Sequence, residues 1–298
     1  MNNPVVIARI RGGLGNQLFM YAMARRLAQA NNAELVLDSI TSFGGKNKYG
    51  RQYMLDRFPI TGRLATPAER REPMHSLRRG IRKWWDRKQP LSQRQYVVDP
   101  GGVDADIHAM KIVRPTTFEG YWQSEKWFDD MADTIRAECT PEAPTDKDNQ
   151  TSAAAISNCT AVALHVRFFN DPGQTAQSQQ VIDYYAKAVS TIREKVANPT
   201  FFIFSDQPEK AKDILAFDPA ESYVVDHNAG DDNAHLDLWL MSQCQHFITA
   251  NSTFSWWGAW LGEKPGSIVV TPVFTAADAF LAWGLSGTIP DRWISIEG

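Results

Sequence analysis

Three stretches of this chain set polar and charged side chains where a strand should end. In "ALHVRFFND", His165 and Arg167 stand two residues apart at the close of an apolar run. On a strand, that spacing points both side chains to one face. They lie at its carboxyl end, where open α/β sheets bind ligands. A guanidinium there can fork onto phosphate oxygens with two charge-assisted bonds; the plainer alternative is a half-buried histidine beside a salt-bridged arginine. "FIFSD" ends on Ser205 and Asp206. That carboxylate can accept from the N1 and amino donors of a guanine, although taken alone Ser-Asp before a proline-started helix reads first as a helix cap. In "ANSTFSWWGAWL", Asn251, Ser252, Thr253 and Ser255 crowd the start of a helix whose N–H groups and dipole favour an anion. Trp256, Trp257 and Trp260 share one helical face and read as core packing. Three strand ends presenting polar groups to one crevice fit a nucleotide-diphosphate site.

A fourth stretch, "RIRGGLGNQLFMYAMARRL", runs from an apolar strand through glycines into a helix. A Walker loop needs Gly-Lys followed by Ser or Thr, and Asn16 and Gln17 stand there instead. A dinucleotide fingerprint counted from Gly13 and Gly15 needs a third glycine at position 18, which is Leu18. Asp38 sits about where a ribose-binding acid would, so the unit imitates that fingerprint without meeting it. The glycines also suit a tight strand-to-helix turn with positive φ. Asn16 and Gln17, two amides at a helix N-terminus, mark a corner for polar ligands such as sugar hydroxyls or a phosphate edge.

The elements that must hold these residues follow from periodicity. "VVIARI" reads as a strand, 15–31 as a helix and "AELVLD" as a second strand; a basic helical stretch (67–88) and "FEGYWQSEKWFDDMADTIRAEC", strand then helix, follow. Residues 139–158, rich in Pro, Ser, Thr, Asp and Ala, read as a linker or long surface loop. Beyond it, "AVALHV", "TFFIFSD", "SYVVD", "HFITA" and "SIVVTP" alternate with helical segments, which implies a parallel sheet covered by helices. The expectation is α/β: two Rossmann-like domains, 1–150 and 151–298, with parallel sheets facing a cleft.

Composition narrows the functions. With 34 acidic against 31 basic residues and a net charge of −3, no global field attracts nucleic acid. Cys139, Cys159 and Cys244 form no CxxC, which suits a reducing compartment. No apolar run reaches the roughly 20 residues that span a bilayer, and the N-terminal run is strand-like, so a cytoplasmic chain is expected. Asp104, Asp106, His227, Asp231, Asp232, His235 and Asp237 match no spaced zinc or calcium motif, so no metal is expected. Residues 70–88 carry eight basic and two acidic side chains, with Leu77, Ile81, Trp84 and Trp85 at helical spacing. They read as an amphipathic helix packed on the core, or as a peripheral contact with anionic lipid.

Taken together and in order, "GGLGNQLFMYAMARRLA", "GYWQSEKWF", "ALHVR", "FIFSD" and "LMSQCQHFITANSTFSWWGAWL" resemble the bacterial alpha-1,2-fucosyltransferases of glycosyltransferase family eleven. The likeness runs from residue 9 to about residue 261. It implies an inverting, metal-independent transferase of GT-B-like fold that moves fucose from GDP-β-L-fucose to O2 of a terminal β-galactose. By position, His165 and Asp206 resemble guanine or ribose contacts and Arg167 the pyrophosphate clamp. Ser252, Thr253 and Ser255 resemble phosphate contacts. Gly13, Gly15, Asn16 and Gln17 would line the cleft near fucose and acceptor, joined by Glu119 and Gln123.

One departure stands out. The family continues His-x-Arg with a second Arg, any residue and an Asp, whereas this chain reads Phe168, Phe169, Asn170, Asp171. Donor charge then falls to Arg167, the helix N-terminus and Arg11. Candidates for the base that takes the acceptor's proton are Asp171 first, then Asp38 and Glu119, with a solvent relay as the alternative. Two rivals stay open: a transferase for another GDP-sugar, and a non-catalytic GDP- or glycan-binding relative.

Overall fold

The computed structural model describes residues 4–44, 50–168, 179–215, 217–273 and 288–297. The chain divides into two compact units, Met1–Cys139 and Thr140–Gly298.

In the first unit the elements run β1 (Val5–Arg9), α1 (Leu14–Ala30), β2 (Glu34–Asp38), β3 (Arg63–Leu64), α2 (His75–Asp86), β4 (Tyr96–Val98), α3 (Ala105–His108), β5 (Thr116–Glu119) and α4 (Ala132–Cys139). The sheet order is β3-β2-β1-β5-β4, and every pairing is parallel. Central β1 is buried along its whole length, which is why its apolar residues form a run instead of alternating. Helix α1 is buried from Leu18 through Ala24 and ends at Asn31, whose amide donates to the Leu27 and Met110 carbonyls and accepts from the Ile112 N–H.

Helix α2 departs from expectation in length and in orientation. It covers His75–Asp86, not the whole of 67–88, and it rests on its charged face. Lys83 Nζ lies 2.6 Å and Arg79 Nε 3.7 Å from the Glu119 carboxylate at the end of β5. Asp86, almost fully buried, accepts from Arg82 at 2.7 Å and from the Gln95 N–H ahead of β4. Leu77, Ile81, Trp84 and Trp85 point outward. The packed amphipathic helix of the sequence reading is therefore corrected: buried carboxylates, not apolar side chains, bind this helix to its unit.

The second unit contains α5 (Lys147–Ser157), β6 (Thr160–Val166), α6 (Gln179–Lys195), β7 (Pro199–Ser205), α7 (Pro208–Leu215), β8 (Ser222–Val225), α8 (Ala234–Gln243), β9 (His246–Ile248), α9 (Thr253–Gly262), β10 (Val269–Val273) and β11 (Ile294–Glu297). Its six strands are all parallel in the order β11-β10-β9-β6-β7-β8. Counted from β6 as the first, this is the 3-2-1-4-5-6 arrangement of a doubly wound sheet, whose order reverses between β6 and β9. The linker expected over 139–158 is also corrected. Residues 147–157 are helical, capped by the Asp146 carboxylate accepting from the Asn149 N–H at 2.9 Å. The segment looked like a loop because Ile156 is the one large apolar side chain that this helix buries; its other buried residues, Asn149 and Ser152, are polar.

Helix α9 lies close against α8 because two of its residues lack side chains. A Cβ at Gly262 would stand 2.8 Å from the Ser242 carbonyl oxygen, and one at Gly258 2.5 Å from Met241 Cε. An interior glycine such as Gly258 weakens a helix by about 1 kcal/mol relative to alanine. Here the close approach and the complete burial of Trp256, Trp257 and Trp260 offset that loss. The three tryptophans are core, as their spacing predicts.

Candidate functional site

The reversal point of the second sheet gathers the residues singled out in the sequence. Leu164 on β6 pairs with Ile248 on β9, and three residues further on Arg167 and Asn251 leave these neighbouring strands. Two tyrosines of α6 fix the strand ends from below. Tyr185 Oη donates to the His165 carbonyl at 2.9 Å, and Tyr184 Oη to the Thr249 carbonyl at 2.6 Å. Burial pushes both phenols well above their usual range, so they stay protonated donors. Sequence reasoning placed this helix but missed the tyrosines; the adjacent pair one helix after the His-x-Arg strand was the available signal.

Arg167 emerges from β6 with its Nη1 3.5 Å from Asp206 Oδ2 at the end of β7. The other oxygen of Asp206 accepts from the Phe168 N–H at 3.0 Å. Asp206 thus positions the guanidinium while its carboxylate is mostly sheltered, a different role from an open guanine acceptor. Ser205 Oγ accepts from the Gln207 N–H at 3.1 Å, a turn ahead of α7 that caps none of the helix's own N–H groups. Phe168, where a second arginine was expected, is buried in the apolar cluster with Val162, Leu164, Tyr185 and Ile203. A charged side chain with that orientation would enter the core.

His165 is buried, its Nδ1 without a hydrogen-bond partner among the described residues and its ring 5.4 Å from that of Phe254 on α9. Burial first, and then the nearby Arg167 charge, push its pKa down to about 3, so the imidazole is neutral. Across the reversal point, α9 begins at Ser252, which is extended and makes no side-chain cap bond. Its first backbone bond runs from the Trp256 N–H to the Ser252 carbonyl, so the preceding N–H groups point out beside Ser252 and Thr253, in the geometry that holds phosphate. Ser255 differs from its expected role: it is fully buried, and its Oγ accepts from the Ala250 N–H at 2.9 Å, shaping the turn. Arg167, the half-buried Ser252 and Thr253 and the start of α9 can therefore hold a diphosphate within the second unit.

In the first unit, Gly12 carries the positive φ (77°), while Gly13 is extended and caps α1, and Gly15 is buried in its first turn. Asn16 Oδ1 accepts from Gln123 Nε2 at 2.8 Å, which brings two expected site residues together. Gln17 is fully buried. Its amide donates to the Gly12 and Gln52 carbonyls and accepts from the Met54 N–H, so it clamps two loops and offers no free polar atom to an acceptor. Arg11 lies over the Tyr121 ring at 4.4 Å.

The candidate bases fare differently. Asp38 is buried and accepts from the Ile40 and Thr41 N–H groups and the Thr41 hydroxyl, holding the turn after β2. Glu119 meets Arg9 at 3.2 Å besides Lys83 and Arg79, and accepts from the Tyr96 hydroxyl. Burial works against its charge, but the Lys83 and Tyr96 hydrogen bonds and the Arg9 charge prevail and hold its pKa near 2. A carboxylate that acidic takes protons poorly, so Glu119 is corrected from base to charge anchor. Asp171 lies outside the described residues. Among the described residues, His108, Asp129 and Asp130 are the one group whose ligand atoms gather within 4.8 Å, and Asp130 already pairs with Arg26 at 2.8 Å.

Comparison with known proteins accounts for this arrangement. The family profile described as Glycosyl transferase family 11 matches residues 5–297. An alpha-1,2-colitosyltransferase of Escherichia coli is 27% identical over 305 residues, covering 98% of this chain and 99% of its own. Among solved structures, Arabidopsis thaliana FUT1, a mutant in complex with GDP, superimposes with TM-score 0.54 at 14% identity, covering 90% of this chain and 70% of that one. The NodZ alpha-1,6-fucosyltransferase soaked with GDP-fucose gives 0.51 at 15%, covering 87% and 93%; NodZ is a Bradyrhizobium protein. At these identities the likeness shows the fold, the GT-B-like α/β fold expected from the sequence.

Proposed function

Because the chain belongs to glycosyl transferase family 11, we propose that it moves L-fucose from GDP-β-L-fucose to O2 of a terminal β-galactose, on the cytoplasmic side, with inversion and without a metal. The observation that carries this reading is Arg167, held by Asp206 beside the start of α9 at the reversal point of a doubly wound sheet. The relatives named above are a colitosyltransferase and structures holding GDP or soaked with GDP-fucose.

In this reaction the acceptor hydroxyl oxygen attacks C1 of fucose as the bond from C1 to the diphosphate oxygen breaks. The electron pair leaves with GDP, and attack from the opposite face turns a β-linked donor into an α-linked product. Negative charge grows on the diphosphate, where Arg167 and the N–H groups of α9 are aimed. The hydroxyl proton passes to Asp171, or to solvent, since Asp38 and Glu119 have their carboxylates engaged. Asn16 and Gln123 are acceptor-side contacts in this reading.

A second reading, transfer of a different GDP-sugar, is favoured by the colitosyltransferase relative. Colitose lacks one hydroxyl of fucose, so a site built on Arg167 and α9 would grip either donor's diphosphate. The test is GDP release from GDP-fucose and from GDP-colitose, with and without lactose, in EDTA, with product linkage read by NMR. Lactose-dependent release from GDP-fucose with an α-1,2 product supports the proposal. Release from GDP-colitose alone transfers it to the second reading, and GDP binding without turnover of either donor overturns both.

A further inference from the structure

Helix α2 is built inside out. Its inward face is charged: Arg79 and Lys83 reach Glu119, and Arg82 pairs with buried Asp86. Its outward face is apolar, with Leu77 57%, Ile81 51%, Trp84 53% and Trp85 54% exposed, and Met74 just ahead 62% exposed. The spacing from 77 to 81, 84 and 85 makes these side chains one stripe along the helix. Scattered exposed apolar residues need no explanation; a contiguous stripe marks a surface that meets something.

The rim of the stripe identifies the partner. Arg78, Arg87 and Lys88 are exposed along its edges, and Lys88 Nζ lies 4.0 Å over the Trp84 ring. Pairing with a second copy about a twofold axis would bring these cations against their own equivalents, at a cost in repulsion. An anionic lipid surface meets all of them with opposite charge. Trp84 and Trp85, edge to face at 5.2 Å, are the side chains that settle at the boundary between headgroups and acyl chains. Lysine and arginine stems can reach from such a stripe to lipid phosphates. We propose that the outward face of α2 is an interfacial anchor that lays the first unit on an anionic bilayer surface. This goes beyond the proposed transferase activity and is tested without it.

The experiment is flotation of the full chain with vesicles of phosphatidylcholine alone and with about one third phosphatidylglycerol. Expected is binding to the anionic vesicles at least roughly tenfold above the neutral ones, weakened by high salt. Trp84→Ser/Trp85→Ser should lower the bound fraction roughly tenfold or more, and Arg87→Glu/Lys88→Glu should do so without replacing any apolar residue of the stripe. Val113→Ser, at another exposed apolar residue, should float like the parent. Circular dichroism establishes that each variant is folded before it is compared. No flotation, equal binding to neutral vesicles, or stripe variants that float undiminished would overturn the proposal. So would a dimer in sedimentation equilibrium that the Trp84/Trp85 variant dissolves.

Discussion

Helices α9 and α2 hold five of the chain's ten tryptophans and treat them in opposite ways. Helix α9 has no charged residue and buries Trp256, Trp257 and Trp260 almost completely. Helix α2 has five charged residues among twelve and leaves Trp84 and Trp85 about half exposed. The difference lies in what each helix meets. Helix α9 lies against α8, where its glycines permit close approach and it brings no charge of its own that needs a partner. Helix α2 meets Glu119, which takes Arg79 and Lys83 inward and turns the apolar stripe out. A tryptophan's fate is thus set by the neighbour's chemistry as much as by its own hydrophobicity.

The largest effect that sharpens this contrast is on stability. Trp256→Ala should cost about 3–5 kcal/mol in urea denaturation, whereas Trp84→Ala should change stability by no more than ~0.5 kcal/mol. Equal losses would mean the stripe of α2 is core after all. Next comes the polar end of α9 and its partner arginine. Arg167→Ala should lower kcat/KM for the donor by about 2–5 kcal/mol in transition-state terms, roughly thirty- to several thousand-fold. Near-normal turnover would remove Arg167 from the diphosphate site.

Acid should separate the two regions further. Glu119 has a folded pKa near 2 against an ordinary 4.5, so its stabilisation is complete above pH 4.5 and disappears as pH falls from 4.5 towards 2. That shift corresponds to roughly 3 kcal/mol. Glu119→Gln should flatten stability through this window, and an unchanged acid profile would show that α2 does not depend on this carboxylate. His165 works in the same direction over a higher window. Its folded pKa near 3 lies below the ordinary 6.5, so stability declines as pH falls below 6.5, because the unfolded histidine takes a proton that the buried one refuses. His165→Gln should remove the part of the slope between pH 6.5 and 4.5, the smallest of these effects; a parent curve already flat there would contradict the buried neutral imidazole.

Much of the second unit was legible because its strands are buried on both faces and read as unbroken apolar runs ending in polar residues. "ALHVR" and "FIFSD" told both where β6 and β7 stop and what they present. Strand β11 escaped, since Ile294–Glu297 is a four-residue edge strand with half-exposed and exposed residues alternating and no apolar run. Helix α5 escaped because polar Asn149 and Ser152 do part of its packing. Periodicity located α2 and its stripe but could not tell which face was down. That depended on Glu119, a carboxylate 36 residues beyond Lys83 in sequence. The roles of Gln17, Asp38 and Ser255 were misjudged for a related reason. Residue type shows that a side chain can meet a ligand, but only the fold shows whether a neighbouring backbone already occupies it.

The two glycines of α9 have a consequence for anyone who would redirect the enzyme to a new sugar. Position 262 faces the Ser242 backbone with no space for a Cβ, whereas at 258 the obstacle is the Met241 side chain, so a mutant library that varies position 262 would chiefly return misfolded clones. Because the same helix carries Ser252 and Thr253 at its other end, even a folded survivor would shift the site as a rigid body instead of reshaping it. Diversity is better placed in the turn at 250–254, with the helix behind it held constant as a fixed mount.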